Sequence, residues 1–313
     1  MKIIPFNSTL KHDSKGVCAA LGVFDGVHLG HQSVIAQVLK DARQMDALPV
    51  VITFDKHPIS VLNPVKAPPM IYPLEAKLSL LQQLGIEKVM LIPFNEKIAS
   101  LSAPDFFEII STNLFPLLSI SMGAGFVFAR NRTGNIKKLR DLAAKTETIV
   151  QEVDSVCIQG ERISSSQIRK EIAQGNLEKA SQMLGRPYSI ISNVVVGDQI
   201  GRTIGYPTAN LSVIDRATPP AGVYAVTVLI ENRQFHGCLN IGLRPTLGCS
   251  DPKLRVEVYI LDFKEDIYGK TIEVIPLKRL RDEMKFASLD ILRLQIAEDI
   301  KQAQSVFSEE EES

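Results

Sequence analysis

Two histidines three residues apart, His28 and His31, close the decapeptide GVFDGVHLGH at residues 22–31. An apolar run, VCAALGVF, leads into it, and Asp25 and Gly26 mark a turn. Beyond the turn Val34, Ile35, Val38, Leu39 and Ala42 recur on one face of a helix. A strand passing through a glycine turn into a helix start leaves the first helical N–H groups unpaired, and the helix dipole favours an anion there. His28 and His31 are then placed to donate hydrogen bonds to phosphate oxygens. Histidines so spaced also serve as metal ligands or as polar caps. Zinc wants three or four protein ligands. His12, His57, His236 and four scattered cysteines without a CxxC pair supply no such set.

Three further stretches carry chemistry. In ISSSQIRKEIAQGN, residues 163–176, Ser164 suits an N-cap and Gly175 a helix stop. Ser165, Ser166 and Arg169 gather at the positive end of that helix, a second anion site. An ordinary capped helix with a solvated arginine has the same pattern. In GDQIGRTIGYPTANL, residues 197–211, Gly197, Gly201 and Gly205 make a flexible loop around Arg202. No GxxxxGK[ST] is present, yet such a loop can wrap phosphates through backbone N–H groups. After Pro207, Thr208 and Asn210 alternate along an extended segment and point to one side. Their neutral oxygens suit magnesium, which keeps several waters when it carries a nucleotide. An attacking hydroxyl also needs a carboxylate to take its proton. Glu257, in LRVEVYILDF, is the candidate, although its alternation with Val256, Val258 and Ile260 equally fits a solvated strand residue. GAGFVF, residues 123–128, lacks the third glycine and the acidic partner of a dinucleotide fingerprint. His57, just past an apolar strand, reads by itself as a loop histidine.

These residues need two kinds of framework. Up to about residue 153, strand and helix patterns alternate: PVVITF, a helix near 74–84 with Leu74, Leu78 and Leu81 on one face, VMLI, a Ser102-capped helix with Phe106, Phe107 and Ile110, SISMGA, a helix near 136–146, and TIVQEV. Repeated βα units predict an open, doubly wound parallel sheet with ligands at the strand C-terminal ends. From residue 189 short alternating strands without intervening helices predict an antiparallel barrel or sandwich. A closing helix near 288–304 is expected to face Leu289, Leu292, Ile296 and Ile300 inward. The change of pattern near GRPYSI divides the chain into 1–186 and 187–313.

The 313 residues accommodate about two domains. With 35 basic and 35 acidic residues the formal charge is zero, which gives no broad attraction to nucleic acid or anionic membrane. No apolar run reaches the ~18 residues of a transmembrane helix, and the N-terminus lacks a signal-peptide core. Cys18, Cys157, Cys238 and Cys249 read as reduced packing thiols of a cytoplasmic protein.

GVFDGVHLGH resembles the nucleotidylyltransferase signature of the bacterial bifunctional riboflavin kinase/FAD synthetases. GRTIGYPTANL, PPAGVYAV, NIGLRPTLG, VEVYILDF, IYGKTIEV and the segment from LRDEMKF onwards resemble that family's riboflavin kinase domain, and the likeness covers almost the whole chain. It implies a Rossmann-like nucleotidylyltransferase domain followed by a β-barrel kinase with a terminal helix. It implies phosphorylation of riboflavin to FMN and adenylylation of FMN to FAD, with ATP as co-substrate and Mg2+ as cofactor. Gly22, Phe24, Asp25, Gly26, His28, His31, Ser165, Ser166 and Arg169 would bind nucleotide in the first half. Gly197, Gly201, Arg202, Gly205, Pro207, Thr208 and Asn210 would do so in the second, with Thr208 and Asn210 on the metal and Glu257 as base. His57, in TFDKHP, and Arg281 and Glu283, in LRDEMKF, would face the flavin. Expected partners are riboflavin, FMN, FAD, ATP and ADP, in a monomer or weak homo-oligomer. Against the family's GxDFxFG and ISSTxIR patterns, Gly125 stands where Asp or Asn is common, Ala129 where Gly is common and Gln167 where Arg is frequent. Two other readings therefore remain open: a monofunctional riboflavin kinase with a degenerate first half, and a flavin-binding regulatory protein.

Overall fold

A computed structural model describes residues 1–6, 8–10, 15–197, 200–213, 215–231, 233–244 and 253–311. The chain forms two compact units. One comprises Met1–Ile168 with Met183–Gly185, the other Arg169–Gln182 with Arg186–Ser313.

In the first unit six parallel strands form one sheet: β1 (Lys2–Pro5), β2 (Val17–Leu21), β3 (Leu48–Phe54), β4 (Lys88–Ile92), β5 (Leu117–Gly123) and β6 (Ile149–Val153). Their order is β1-β4-β3-β2-β5-β6. Helices α1 (Leu29–Gln44), α2 (Pro58–Leu62), α3 (Leu74–Gln83), α4 (Glu96–Ala99), α5 (Ala103–Asn113) and α6 (Ile136–Ala143) connect them. Successive strand residues point to opposite faces, so each strand feeds two cores. Ala19, Leu21, Val50 and Ile52 join Phe106, Phe107 and Leu139 on one face. Cys18, Ala20 and Val51 join Val34, Val38 and Leu81 on the other. Burial on both faces is why VCAAL and PVVITF read as continuous apolar runs.

A small hairpin, β7 (Cys157–Ile158) and β8 (Glu161–Arg162), precedes α7 (Ser165–Gln174) and α8 (Leu177–Leu184). Ser164 Oγ accepts from the Gln167 N–H at 3.2 Å, so the expected N-cap forms. Gly175, at φ +81°, ends α7 in the left-handed conformation that glycine adopts without penalty.

The second unit closes a barrel in the order β10-β13-β12-β11-β14-β9. Its strands are β9 (Ile190–Val195), β10 (Thr208–Leu211), β11 (Gly222–Ile230), β12 (Arg233–Arg244), β13 (Lys253–Ile260) and β14 (Thr271–Arg281), with a one-turn α9 (Ile200–Thr203) before β10 and α10 (Leu289–Glu311) at the end. Every pairing is antiparallel. The terminal helix departs from expectation. It runs on to Glu311, and Ala303, Val306 and Phe307 pack on the barrel. Ile300 packs against this cluster as expected, but Leu289 is 55% exposed and Leu292 and Ile296 are only half-buried, because the contact lies further along the helix than the apolar spacing suggested. Cys157 also departs: it is exposed, whereas Cys18 and Cys238 are buried. Cys249 lies outside the described residues.

Two candidate phosphate-transfer sites

The first site lies at the C-terminal end of β2, which pairs with β3 on one side and β5 on the other. The winding direction reverses there, so the flanking connections diverge and open a crevice. The turn that fills it is built of left-handed residues, Phe24 (φ 53°), Gly26 (φ 81°) and Val27 (φ 40°). Phe24 and Val27 hold this unfavourable backbone because both are 1% exposed, packed under α1. The Asp25 carboxylate, also buried, accepts from the Ile71 N–H at 3.0 Å, and its carbonyl accepts from the Ser165 hydroxyl at 2.9 Å. At Gly26 a Cβ would meet Ile71, and at Gly22 it would meet the Phe24 ring.

His28 is the N-cap of α1, and its Nδ1 accepts from the His31 N–H at 3.3 Å. A neutral imidazole accepting at Nδ1 carries its proton on Nε2. The two rings stack with centroids 3.6 Å apart, and Phe24 meets His31 edge-on at 5.1 Å. Of the predicted α7 residues, Ser165 is tied to this turn through Asp25, Ser166 is exposed, and Arg169 lies half-buried further along the helix. His57 caps α2, with Nδ1 accepting from the Ile59 N–H at 3.2 Å.

Beside the turn is a cavity of about 550 Å3. Val23, Phe54, Phe94, Phe106, Phe126 and Phe128 form its apolar wall, and Arg130 and Arg132 stand on its lining too. The residues following His57, not His57 itself, contribute Pro58, Val61 and Leu62. Sequence reasoning missed this cavity, because its aromatics are spread over more than seventy positions without a local motif. Gly125 (φ 74°), adjacent to the lining residue Phe126, sits in a turn whose preceding carbonyl, Ala124, accepts from Arg162. Ala129 has φ 62° and ψ 175°, a region that is essentially glycine's own.

Sequence reasoning also missed Lys77. Its side chain is 2% exposed, and its ammonium donates to Phe54 O (2.7 Å), Thr53 Oγ1 (3.2 Å) and Val23 O (3.3 Å). Burial pushes its pKa down to about 8, while the nearby charges of Asp25 and Asp55 pull it back up. The signal was available: Lys77 lies three residues after Leu74 and four before Leu81, on the stripe that should be apolar.

The second site is on the barrel. Asn210 on β10 and Asn240 on β12 are both direct cross-strand partners of Glu257 on β13. Val256 and Val258 are buried and Glu257 is half-buried, as strict alternation requires. Arg255 donates to Glu257 Oε1 at 2.8 Å. Thr208 and Asn210 face the glycine loop at close range. A Cβ on Gly197 would collide with the Asn210 amide, and one on Gly201 with Tyr206 O, 3.3 Å from Thr208 Oγ1. Gly205 takes φ +90°. Arg202, Pro207 and Thr208 line a cavity of about 440 Å3 with Ile260, Phe263 and Tyr268. A Cβ on Gly242 would strike the Glu283 carboxylate, which lies over β12 where Gly242 pairs with Arg255. Arg281 is occupied otherwise: its guanidinium grips the buried Asp299 carboxylate of α10 through two bonds of 2.7 Å.

A parallel α/β unit with paired histidines at a helix N-terminus, followed by a barrel with a glycine loop and a half-buried carboxylate, defines a two-module phosphate-group transferase. Sequence models of two families match it in turn, FAD synthetase over residues 10–167 and riboflavin kinase over residues 184–307. Proteins named bifunctional riboflavin kinase/FMN adenylyltransferase are similar along the whole chain. The one from Buchnera aphidicola subsp. Schizaphis graminum is 34% identical over 98% of this chain and 99% of its own. Those from Haemophilus influenzae and Escherichia coli K12 are 34% identical, covering 94% of this chain and 95% and 93% of theirs. A Streptococcus pneumoniae crystal structure, described as a macrolide-efflux protein, is 34% identical with a TM-score of 0.79, covering 96% of this chain and 98% of that one. Among the described residues no helix is long and apolar enough to cross a membrane.

The chain belongs to the bifunctional riboflavin kinase/FMN adenylyltransferase family. It is a flavin-biosynthetic transferase that phosphorylates riboflavin to FMN and adenylylates FMN to FAD, drawing on ATP.

Proposed function

We propose that the two reactions are carried by the two sites described, divided between domains 1–186 and 187–313. For the kinase, the observation that carries the reading is the cross-strand row Asn210, Glu257, Asn240. Glu257 takes the proton of the ribityl 5′-hydroxyl as its oxygen bonds to the γ-phosphorus of ATP. The bond from that phosphorus to the β,γ-bridging oxygen breaks, and ADP leaves with the electron pair. Arg255 steadies the carboxylate until substrate arrives. Gly197, Gly201 and Gly205 let the loop close on the phosphates, and Arg202 and Pro207 border the nucleotide cavity.

The family uses ATP generally with Mg2+, and the residues here fit that ion. Thr208 and Asn210 offer neutral oxygens in a cradle that a Cβ on Gly197 would fill. Such a donor set, without a cluster of three His, Cys, Asp or Glu among the described residues, suits a metal that arrives on a nucleotide. Bound there, Mg2+ would neutralise charge on the transferring phosphoryl group. Glu283, over Gly242, faces the flavin, and Arg281 holds the segment that carries it.

For the adenylyltransferase, the FMN phosphate oxygen bonds to the α-phosphorus of ATP, and pyrophosphate leaves. His28 Nε2–H and His31 donate to the α-phosphate as charge gathers there. Gly22, Phe24, Asp25 and Gly26 shape the turn, and Ser165, Ser166 and Arg169 hold the remaining phosphates. The aromatic cavity suits the isoalloxazine ring, and His57 fixes the helix that forms part of its wall.

The reading includes a cytoplasmic protein, monomeric or weakly self-associating, without nucleic-acid or membrane partners; its zero formal charge supports this. The experiment is to assay FMN formation and FAD formation separately on Glu257→Gln and His31→Ala proteins. Loss of the first activity alone and of the second alone, respectively, is expected. Loss of both in either protein would overturn the division.

A further inference from the structure

Lys77 is the one buried cation in the described part of the first unit, and it contacts both the phosphate turn and the end of β3. Its three acceptors are Val23 O in the turn, and Thr53 Oγ1 and Phe54 O at the end of β3. The Thr53 hydroxyl donates in turn to Val23 O at 2.9 Å. Val23 and Phe54 are both cavity wall. The two carboxylates whose charges act on the ammonium each hold another segment: Asp25 anchors the Ile71 N–H, and Asp55 anchors the Phe94 N–H at 2.9 Å. Phe94 is cavity wall as well.

A structural role alone accounts poorly for this residue. An ammonium is costly to bury, and apolar replacements of similar volume are often as stable or more so. The neighbouring positions on the same helix face, Leu74, Leu78 and Leu81, show what packing by itself would select. What the ammonium adds is a short link between two strand-end carbonyls whose dipoles would otherwise repel and splay. That link sets the spacing between the turn bearing His28 and the wall of the aromatic cavity.

We infer that Lys77 is a positioning residue for adenylyl transfer, fixing the phosphate turn against the flavin cavity without touching either substrate. The inference rests on the placement of that reaction at His28 and His31.

The test uses the full-length protein with Lys77→Met and Lys77→Arg. Lys77→Met should keep a wild-type or higher melting temperature, bind ATP and FMN with little change in KM, and lose at least about 100-fold in kcat for FAD formation, as small misplacements of reacting groups do. Lys77→Arg, which keeps the charge, should recover part of that loss. FMN formation, made in the other unit, should be unchanged in both. The charged groups facing Lys77 are Asp25 and Asp55. Wild-type kcat for FAD formation should fall as pH rises through about 8, where Lys77 deprotonates. That limb should be absent in Lys77→Met and displaced upward in Lys77→Arg. A folded Lys77→Met with wild-type kcat overturns the proposal. If Lys77→Met does not fold, the other readouts decide: a wild-type profile without the limb, or a folded Lys77→Arg with the limb in place, overturns it equally. Loss of FAD formation in His28 and His31 variants tests the underlying placement separately, since those residues make no bond to Lys77.

Discussion

Asn210 and Glu257 are direct partners across the β10–β13 pair. On one face of an antiparallel pair, opposed side chains stand about 5 Å apart. In the kinase reaction proposed above, a phosphate held at Asn210 through Mg2+ would have Glu257 beside it as general base, without help from a loop. Glu257→Gln would remove the proposed base and keep the shape. FMN formation should fall by about 10²–10⁴-fold, the usual worth of a general base. Flavin binding, followed by fluorescence quenching, should be unchanged. A variant with a normal kinase rate would place the base elsewhere.

The glycine at 197 is required by crowding, not by its backbone angle. Its Cβ would occupy the space of the Asn210 amide. Gly197→Ala should displace Asn210 and raise the KM for MgATP by about tenfold, equivalent to ~1.4 kcal/mol. The KM for riboflavin should move much less. An equal rise in both would mean that the barrel, not the proposed metal cradle, had been disturbed.

Arg281 and Asp299 form a two-bond pair with side chains 18% and 5% exposed. Removing one partner of such a pair strands a buried charge, at a cost of about 3 kcal/mol or more. Arg281→Met should destabilise the second unit by that amount in urea titrations, and Arg281→Met with Asp299→Leu should recover most of it. Riboflavin KM in the stable double variant separates two roles. A value restored to normal makes Arg281 a strut. A value still raised gives it a place at the flavin.

Most of the architecture was legible because its pattern is local. Apolar runs marked the parallel strands, Ser102 and Ser164 marked helix starts, and the alternation around Glu257 marked β13. The aromatic cavity was illegible because Phe54, Phe94 and Phe128 meet only after three strands have aligned. The terminal helix misled because Leu289 fits the apolar stripe while lying ahead of the barrel contact. Gly125 and Ala129 depart from the family's pattern in sequence; at Ala129 the backbone explains the family's preference for glycine.

Ala129 sits at φ 62°, ψ 175°, and an alanine there stores about 1–3 kcal/mol of strain. Glycine relieves the strain but loses more entropy on folding, about 0.5–1 kcal/mol. Ala129→Gly should leave a net gain of about 1 kcal/mol, or roughly 2–4 °C in the melting of the first unit by calorimetry. An unchanged or lower transition would show that neighbours, not the alanine, fix this conformation.

His28 caps α1 and, in the adenylyl transfer proposed above, also meets the α-phosphate; one substitution separates the two. Its Nδ1 caps α1 by accepting from the His31 N–H, so the neutral ring carries its proton on Nε2, the atom that the proposed transfer turns to a phosphate oxygen. His28→Ala loses both, so its effect mixes a cap worth about 1 kcal/mol with any catalytic loss. His28→Asn keeps a good cap, because an asparagine side-chain oxygen accepts from the same region of the helix. It lacks the reach of the distal imidazole nitrogen. His28→Asn should therefore melt close to wild type while FAD formation drops by about 10²–10³-fold, the loss expected when a donor to a developing oxyanion is removed. FMN formation in the same samples should be untouched. Near-normal FAD formation in His28→Asn would reduce His28 to a cap and leave His31 alone to meet the α-phosphate.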